Sequence, residues 1–383
     1  MKKVLFMQIK GNSLGGVWFV NKLLSEKLIE KGYQVNFLNI RNNTDIKVEY
    51  NNLINMITIN EKDKWEILHL SDLKLNLKNH NYSKFLKNFI IFIKGHIKLK
   101  FDFIKASKII KEINPDYIIN SHYQLLNVLD KRSLSKCINV HHSSYDILKK
   151  EIKNYNTLKK YNGKITYAWL CKSSQDKAIE DGFINNNYIY NPIKFKTDKI
   201  ADVINNKKII TIARLTSPEK RINLMLKIVD RVLKKHKDWT FELYGPGEIN
   251  EECMEIVNSN KQIKLMGPTN DVEKVLLSSS IYLSTSCFEG FSLSILEGYE
   301  CGVPSFAFNF GESCMEQIPN SCGIIINDDD IKEFENKLDK LMSDEKKLAE
   351  LSKHSKEFAR KFSADKIVDN WIKLFKEMSG KND

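Results

Sequence analysis

No run of apolar residues in this sequence reaches the roughly 18–20 that a membrane-spanning helix needs, so no such helix is expected. No secretory leader is apparent either. Met1-Lys2-Lys3 leads only into the short apolar run Val4-Leu5-Phe6-Met7 before Gln8 and Lys10 interrupt it. The seven cysteines are odd in number and form no C-x-x-C pair. That spacing argues against a thiolate metal site or a disulfide framework, and for reduced thiols in a cytoplasmic protein. Internal repeats and low-complexity segments are also missing. The glycines at Gly11, Gly15 and Gly16 do not make the dinucleotide fingerprint G-x-G-x-x-G.

What is present is enough for two domains. A chain of 383 residues is too long for one ordinary core. Its 42% hydrophobic and 28% charged content is that of a globular protein. The net charge of +12 is unevenly placed. Residues 1–200 carry 34 Lys/Arg against 18 Asp/Glu, a net of +16, and residues 201–383 carry 26 against 30, a net of −4. The basic half suits an anionic partner, either nucleic acid or a membrane face.

The hydrophobic pattern reads as two α/β units. Val4 to Ile9 is a short strand, followed by the glycine loop, a helix from Val17 to Glu30 ended by Gly32, and a strand from Gln34 to Ile40. A second start lies at Lys208 to Ala213, followed by a polar loop, a helix from Asn223 to Lys235 and a strand from Thr240 to Tyr244. Buried-strand runs recur at Tyr117–Asn120, Cys137–Val140, Ile263–Met266, Ile281–Ser284 and Ser305–Phe308. Such alternation predicts parallel sheets covered by helices, with the domain boundary just after Asn191-Pro192. A last helix, Ala364 to Met378, carries Ile367, Trp371, Ile372 and Phe375 at helical spacing and needs a surface to cover.

Chemistry concentrates in two loops of the second half. The stretch from Ser286 to Glu297 leaves a strand, turns at Gly290 and enters a helix, where free N–H groups can hold anions or polar oxygens. Glu289 and Glu297 stand eight residues apart, roughly two turns or about 12 Å if helical, and carboxylates accept hydroxyl hydrogen bonds from a polyhydroxylated ligand. Read plainly, Glu289 merely favours a helix start and Glu297 is a solvated helix residue. In the second loop, Ala213 to Arg221, Arg214 and Lys220 follow a strand and precede a helix. Two fixed cations suit a diphosphate; the plainer alternative is an ordinary charged loop.

Taken together, Arg214, Lys220, Glu289-Gly290-Phe291 and Glu297 resemble the motif of the retaining glycosyltransferases of the GT-B fold, glycosyltransferase family four, of the bacterial cell-surface polysaccharide type. The resemblance runs on through Gly298 to Pro304, back to Tyr244-Gly245-Pro246-Gly247 and Leu265-Met266-Gly267, and covers essentially the second half. It implies an α/β fold of two Rossmann-like domains facing each other across a cleft. Residues 1–195 would be the acceptor-side domain, 196–362 the nucleotide-sugar domain, and 363–383 a helix packing back on the first. By the same resemblance Arg214 and Lys220 bind the donor diphosphate, and Glu297 the ribose. Glu289 contacts the transferred sugar, helped by the N–H groups of Phe291, Ser292 and Leu293. Ser292 stands where Gly is frequent. Gly15 and Gly16, by themselves a plain turn, would lie beside the donor phosphates. His141 would face the transferred sugar, with His142 and His122 as rivals.

The implied reaction moves a sugar from a nucleotide diphosphate sugar, UDP-linked, to a hydroxyl of a glycan or lipid-linked acceptor with retained configuration. Neither a cofactor nor a metal is expected. Asp328-Asp329-Asp330 reads as an acidic helix start. A sugar-nucleotide epimerase of the same fold is the enzymatic alternative, and a basic nucleic-acid-binding protein the non-enzymatic one, although the Lys residues follow no nucleic-acid motif. The stretch Lys84–Lys111 puts Lys87, Lys94, Lys98 and Lys105 on one helical face beside Leu86, Phe89, Ile90, Ile93, Ile97 and Ile104. That pattern predicts peripheral binding to the inner face of the cytoplasmic membrane, or else a core helix with a wet lysine face, with Gly95 able to break it in two.

Overall fold

The computed structural model describes residues 1–11, 15–42, 51–60 and 82–380. Residues 12–14 of the first glycine loop and residues 381–383 of the C-terminal segment lie outside the described residues. Thirteen strands occur among the described residues: β1 (Lys3–Gly11), β2 (Gln34–Asn42), β3 (Asn55–Asn60), β4 (Tyr117–Asn120), β5 (Cys137–Val140), β6 (Thr166–Trp169), β7 (Asn186–Tyr188), β8 (Lys208–Ile212), β9 (Thr240–Tyr244), β10 (Ile263–Gly267), β11 (Ile281–Ser284), β12 (Ser305–Phe308) and β13 (Gly323–Ile326). Contacts divide the chain into two compact units. One is Met1–His141 with Asn156–Ala168 and Phe375–Asp383; the other is His142–Tyr155 with Trp169–Leu374.

In the first unit six strands of a parallel sheet stand in the order β3-β2-β1-β4-β5-β6. Val4, Leu5, Phe6 and Met7 are all buried, as a strand covered on both faces requires. Phe6 stands opposite Phe37 in the register and the rings stack at 4.7 Å. The helix Gly16–Glu30 ends at Gly32, whose φ of +84° lets its N–H reach the Ile29 carbonyl. Phe375, near the end of the helix Ala364–Gly380, stacks on Tyr117 at 4.2 Å, and Ser379 bonds the Tyr117 hydroxyl at 2.7 Å. The strands β3 and β6 are not apparent as apolar runs. Asn55–Asn60 has Asn at both ends and a central Thr and is partly exposed, and Thr166–Trp169 combines Thr and Ala with Tyr and Trp. The helix Tyr82–Ile113 is continuous, and Gly95 does not divide it.

The second unit holds a six-stranded parallel sheet in the order β10-β9-β8-β11-β12-β13. Its two middle strands, β8 and β11, therefore present their carboxyl ends side by side, the place where open α/β sheets bind ligands. The loop after β8 lies directly against the turn after β9. Ala213 N–H donates to the Tyr244 carbonyl at 2.9 Å and Leu215 N–H to the Pro246 carbonyl at 2.9 Å. This approach requires glycine at 245. Its φ is +143°, and a Cβ there would stand 1.7 Å from the Ala213 carbonyl oxygen. Gly245→Ala is therefore expected to lower stability by about 3 kcal/mol or more. Gly15→Ala, where a Cβ meets nothing within 4 Å, should cost less than about 0.5 kcal/mol. Urea denaturation of the two variants tests the contrast.

Candidate active site

Lys220 and Glu289 meet beyond the carboxyl ends of β8 and β11, with Arg214 in the loop that carries Lys220 and Glu297 on the helix that follows Glu289. Lys220 closes a 3-10 turn, Pro218–Lys220, and its Nζ donates to Glu289 Oε1. The same oxygen accepts a bond of 2.7 Å from the Ser286 hydroxyl. Glu289 precedes the helix Leu293–Glu300, so it is a loop residue and not one end of a helical pair with Glu297. Glu297 lies on that helix, 9% exposed, and among the described residues no hydrogen bond or ion pair reaches its carboxylate. Burial pushes its carboxyl up to about 7, against the partial relief of the Lys194 charge. Arg214 is exposed, and its guanidinium has no ion-pair partner among the described residues. Together these groups can take a ligand that is anionic at one end and rich in hydroxyls at the other.

The start of the helix Leu293–Glu300 is held from below. Gln317, fully buried, accepts from Ser292 N–H at 3.0 Å and returns its amide to the Ser292 carbonyl at 2.6 Å. The Ser292 N–H is thus occupied, whereas those of Phe291 and Leu293 have no acceptor among the described residues. Asn191 donates to the Phe291 carbonyl at 3.1 Å, while its own Oδ1 is buried without a partner. The Phe291 ring is buried against Tyr190 and Phe362. The segment that supplies Gln317 also anchors Glu289, whose carbonyl accepts from Ser313 at 3.3 Å. Glu312 of the same segment takes the Tyr145 N–H and the Ser144 hydroxyl, and Glu316 takes the N–H groups of Lys172 and Ser173. Both glutamates therefore sit at helix N-termini, where negative charge is favoured.

Arg221 is the functional residue that sequence reasoning missed. It adopts a left-handed conformation, φ +50°, between the 3-10 turn and the helix Ile222–Leu233. Its Nε donates to the Thr285 carbonyl at 2.6 Å, and its two terminal nitrogens reach Asp328 and Asp329. The guanidinium lies 5.0 Å from the Phe308 ring centroid. In return the Thr285 hydroxyl donates to the Lys220 carbonyl at 2.8 Å, and Cys287 N–H to the Glu219 carbonyl at 2.9 Å. The Lys220 and Glu289 loops are thereby locked together. Asp330 caps the helix Ile331–Ser343 by accepting from Glu333 N–H, as an acidic helix start does. The only sequence signal for Arg221 was a second cation beside Lys220.

The histidines divide between the units. His141 ends the first stretch of the first unit. His142 belongs to the second unit, and its backbone carbonyl packs so closely on Gly290 that a Cβ there would stand 2.5 Å away. His122, after β4, is held down at about 4 by burial and is neutral at ordinary pH. Gly15 and Gly16 stand at the start of the first helix.

Residues 194–361 match the model of the family described as Glycosyl transferases group 1. The match falls in the second half of the chain, and the two parallel sheets have the GT-B fold. Over 97% of its length the chain is 24% identical to an uncharacterized glycosyltransferase of Haemophilus influenzae, covering 99% of that protein. It is 28% identical over 205 residues to the poly(ribitol-phosphate) alpha-N-acetylglucosaminyltransferase of Staphylococcus aureus, which is 51% of this chain and 40% of that one. Among solved structures it superimposes on HepE of Anabaena in complex with UDP with a TM-score of 0.74 at 16% identity, covering 98% of this chain and 100% of that one. A TarM variant of S. aureus bound to UDP superimposes with a TM-score of 0.73 at 15% identity and the same coverage. Neither an epimerase nor a nucleic-acid-binding role is favoured by these likenesses.

Two stability measurements test the site. Because the Glu297 carboxyl titrates near 7 in the fold and near 4.5 when unfolded, the folded state favours its protonated form. Its contribution is greatest below about pH 4.5 and is lost as pH rises through 7. Glu297→Gln should therefore be more stable than the natural protein at pH 8, by up to about 3 kcal/mol, with the gap narrowing at pH 5. At position 221, both Arg221→Gly and Arg221→Ala should unfold at lower urea than the natural protein. The alanine variant should be the weaker by about 1 kcal/mol, because it keeps the left-handed strain without the hydrogen bonds. Equal stability of the natural protein and Arg221→Ala, which keeps the backbone strain and loses only the side-chain bonds, would remove the bridging role.

Proposed function

We propose that the chain is a retaining glycosyltransferase that moves a sugar from a UDP-sugar to a hydroxyl of a glycan or lipid-linked precursor. The observation that carries this reading is the grouping of an unpaired Arg214, the Lys220–Glu289 pair and a buried, unpaired Glu297 at one carboxyl edge of the second sheet. Arg214 and Lys220 meet the diphosphate. Glu297 accepts hydrogen bonds from the ribose hydroxyls, which offset the burial of its charge. A diphosphate competes with Glu289 for Lys220. Donor binding then frees the Glu289 carboxylate to accept from the hydroxyls of the sugar, so one exchange prepares both ends of the donor. The N–H groups of Phe291 and Leu293 add donors at the helix start, and that of Ser292 adds one if it leaves Gln317. As the sugar–phosphate bond breaks, the two cations neutralise the charge that gathers on the leaving diphosphate. With that charge supplied by side chains, turnover is proposed to need no bound metal.

Retention draws on the relatives. Several, including the S. aureus enzyme and a poly(glycerol-phosphate) alpha-glucosyltransferase of Bacillus subtilis, are named for α-linked products, and an α-linked product from an α-linked sugar nucleotide keeps its configuration. A lipid-linked acceptor is supported by the name of a diphospho-undecaprenol N-acetylgalactosaminyltransferase of Campylobacter jejuni, 28% identical over 35% of this chain. In this reading residues 1–195 carry the acceptor side, residues 196–362 the donor side, and residues 363–383 return to the first. Gly15 and Gly16 approach the donor phosphates. His141 faces the transferred sugar, with His142 as its alternative, and Lys87, Lys94, Lys98 and Lys105 meet a membrane.

A panel of UDP-sugars assayed by UDP release tests the whole reading. Arg214→Ala and Lys220→Ala should each lower kcat/KM about 100-fold or more, with unchanged thermal unfolding. Glu297→Gln should weaken UDP binding in calorimetry by about tenfold, whereas Glu289→Gln should spare UDP affinity and lower kcat. Natural rates in both cation variants would overturn the assignment.

A further inference from the structure

The helix Tyr82–Ile113 of the first unit is apolar on two opposite faces. At about 100° per residue, Leu86, Phe89, Ile90, Ile93, Ile97 and Ile104 fall within an arc of about 100°. All six are exposed, Leu86 by 62%, Ile97 by 51% and Ile104 by 56%. Phe101, 61% exposed, extends the row. The opposite side is already used, since Ala106 and Ile110 are buried. The outer row is therefore not the core-facing stripe of this helix. A row of large apolar side chains about 27 Å long, rimmed by charge, is rare on a solvated surface and marks an interaction site.

We infer that this outer face docks on an anionic lipid bilayer, the helix lying in the plane of the surface with its apolar row inserted. Charge selects this occupant over another protein surface of the same kind. Between Tyr82 and Ile113 the only acids are Asp102, which is buried, and Glu112 at the last turn. Exposed Lys87, Lys94 and Lys105 flank one side of the row, exposed Lys100 stands within its C-terminal half and exposed Lys108 just beyond its end. Two copies of this face would oppose lysine to lysine, whereas anionic headgroups neutralise the lysines while the acyl boundary takes the apolar row. No described helix is long and apolar enough to cross a membrane, so the contact is peripheral. Lys98, half-buried, contributes less than the spacing of the four predicted lysines implies; the isoleucines and Phe101 are the anchor. The inference rests on the glycosyltransferase reading only in giving the surface a purpose, which is to meet an acceptor carried by lipid.

The test uses the full chain and vesicles of phosphatidylcholine with and without phosphatidylglycerol, read by cosedimentation, with UDP affinity measured on the same samples. The natural protein should sediment with the anionic vesicles at low salt and be partly released by salt. Ile93→Ser with Ile97→Ser should lower partitioning at least about tenfold, as should Lys87→Gln with Lys94→Gln and Lys105→Gln. UDP affinity should be the same in all three proteins. A natural protein that stays in the supernatant overturns the inference, as does undiminished binding of the Ile93/Ile97 variant. So does a concentration-dependent dimer that the isoleucine substitutions abolish, because the face then joins two copies of the chain. Loss of UDP binding by the natural protein would instead strike the donor site and leave the vesicle result standing.

Discussion

The geometry of the candidate site hangs on one side chain that touches no proposed ligand. Arg221 spans the carboxyl edge of adjacent strands. It springs from the loop after β8, bonds the Thr285 carbonyl just beyond β11, lies over Phe308 at the end of β12 and pairs with Asp328 and Asp329 beyond β13. The two aspartates are substantially exposed, so the ion pairs themselves add little. More important is the carbonyl it satisfies. A strand end that turns sharply into a ligand loop has backbone acceptors with no partner in the sheet, and a buried acceptor left unpaired costs more than a typical bond contributes. The left-handed backbone at 221 costs about 1–2 kcal/mol in a non-glycine residue. The side chain it aims is what sets the separation of Lys220 and Glu289.

With that frame fixed, the charges of the site are unevenly paired. Lys220 and Glu289 neutralise each other, while Glu297 is buried with only the partial relief of the Lys194 charge. A carboxyl in such a place prefers its proton, and burial shifts it accordingly. Burying a charge without a partner is unfavourable for folding and useful for binding, because a ligand that brings hydroxyl donors recovers that cost on arrival. Tight support around the loops keeps the arrangement in place. Gln317 clamps Ser292, Ser313 holds the Glu289 carbonyl, and Gly290 and Gly245 let neighbouring backbone pass where any side chain would collide.

Much of the fold was legible because it is written in short apolar runs. Tyr117–Asn120, Cys137–Val140, Ile281–Ser284 and Ser305–Phe308 are strands at the expected bounds, since four consecutive buried residues between turn signals admit little else. β3 and β6 were not legible, because terminal Asn and a central Thr break up one, and Thr with Tyr and Trp fills the other, so neither makes such a run. Within the site the charged residues were readable from type and spacing, but their partners were not. That Lys220 meets Glu289, that Glu289 stands off the helix, and that Gln317 occupies the Ser292 N–H all depend on contacts 25 to 69 residues apart in the chain. Arg221 was hidden for the same reason. Its role lies 64 residues away at Thr285 and over 100 away at Asp328 and Asp329.

The helix Tyr82–Ile113 shows a different limit of sequence reading. An apolar stripe beside lysines predicts an amphipathic helix, and the ordinary expectation is that the stripe faces the core and the lysines face water. Here the helix carries enough apolar residues for two stripes. Only the fold decides which is spent on the core, and it takes Ala106 and Ile110 while leaving Ile93, Ile97 and Ile104 outside. The inner face pairs the small Ala106 with Ile110, while Phe89, Ile93, Ile97 and Phe101 stay outside. Packing density alone would have selected the reverse, since bulk contributes most where it is fully buried. Large apolar side chains left on the solvent side, in a stretch whose basic residues are not balanced by exposed acids, are therefore better explained by a surface that is both apolar and anionic than by the needs of folding.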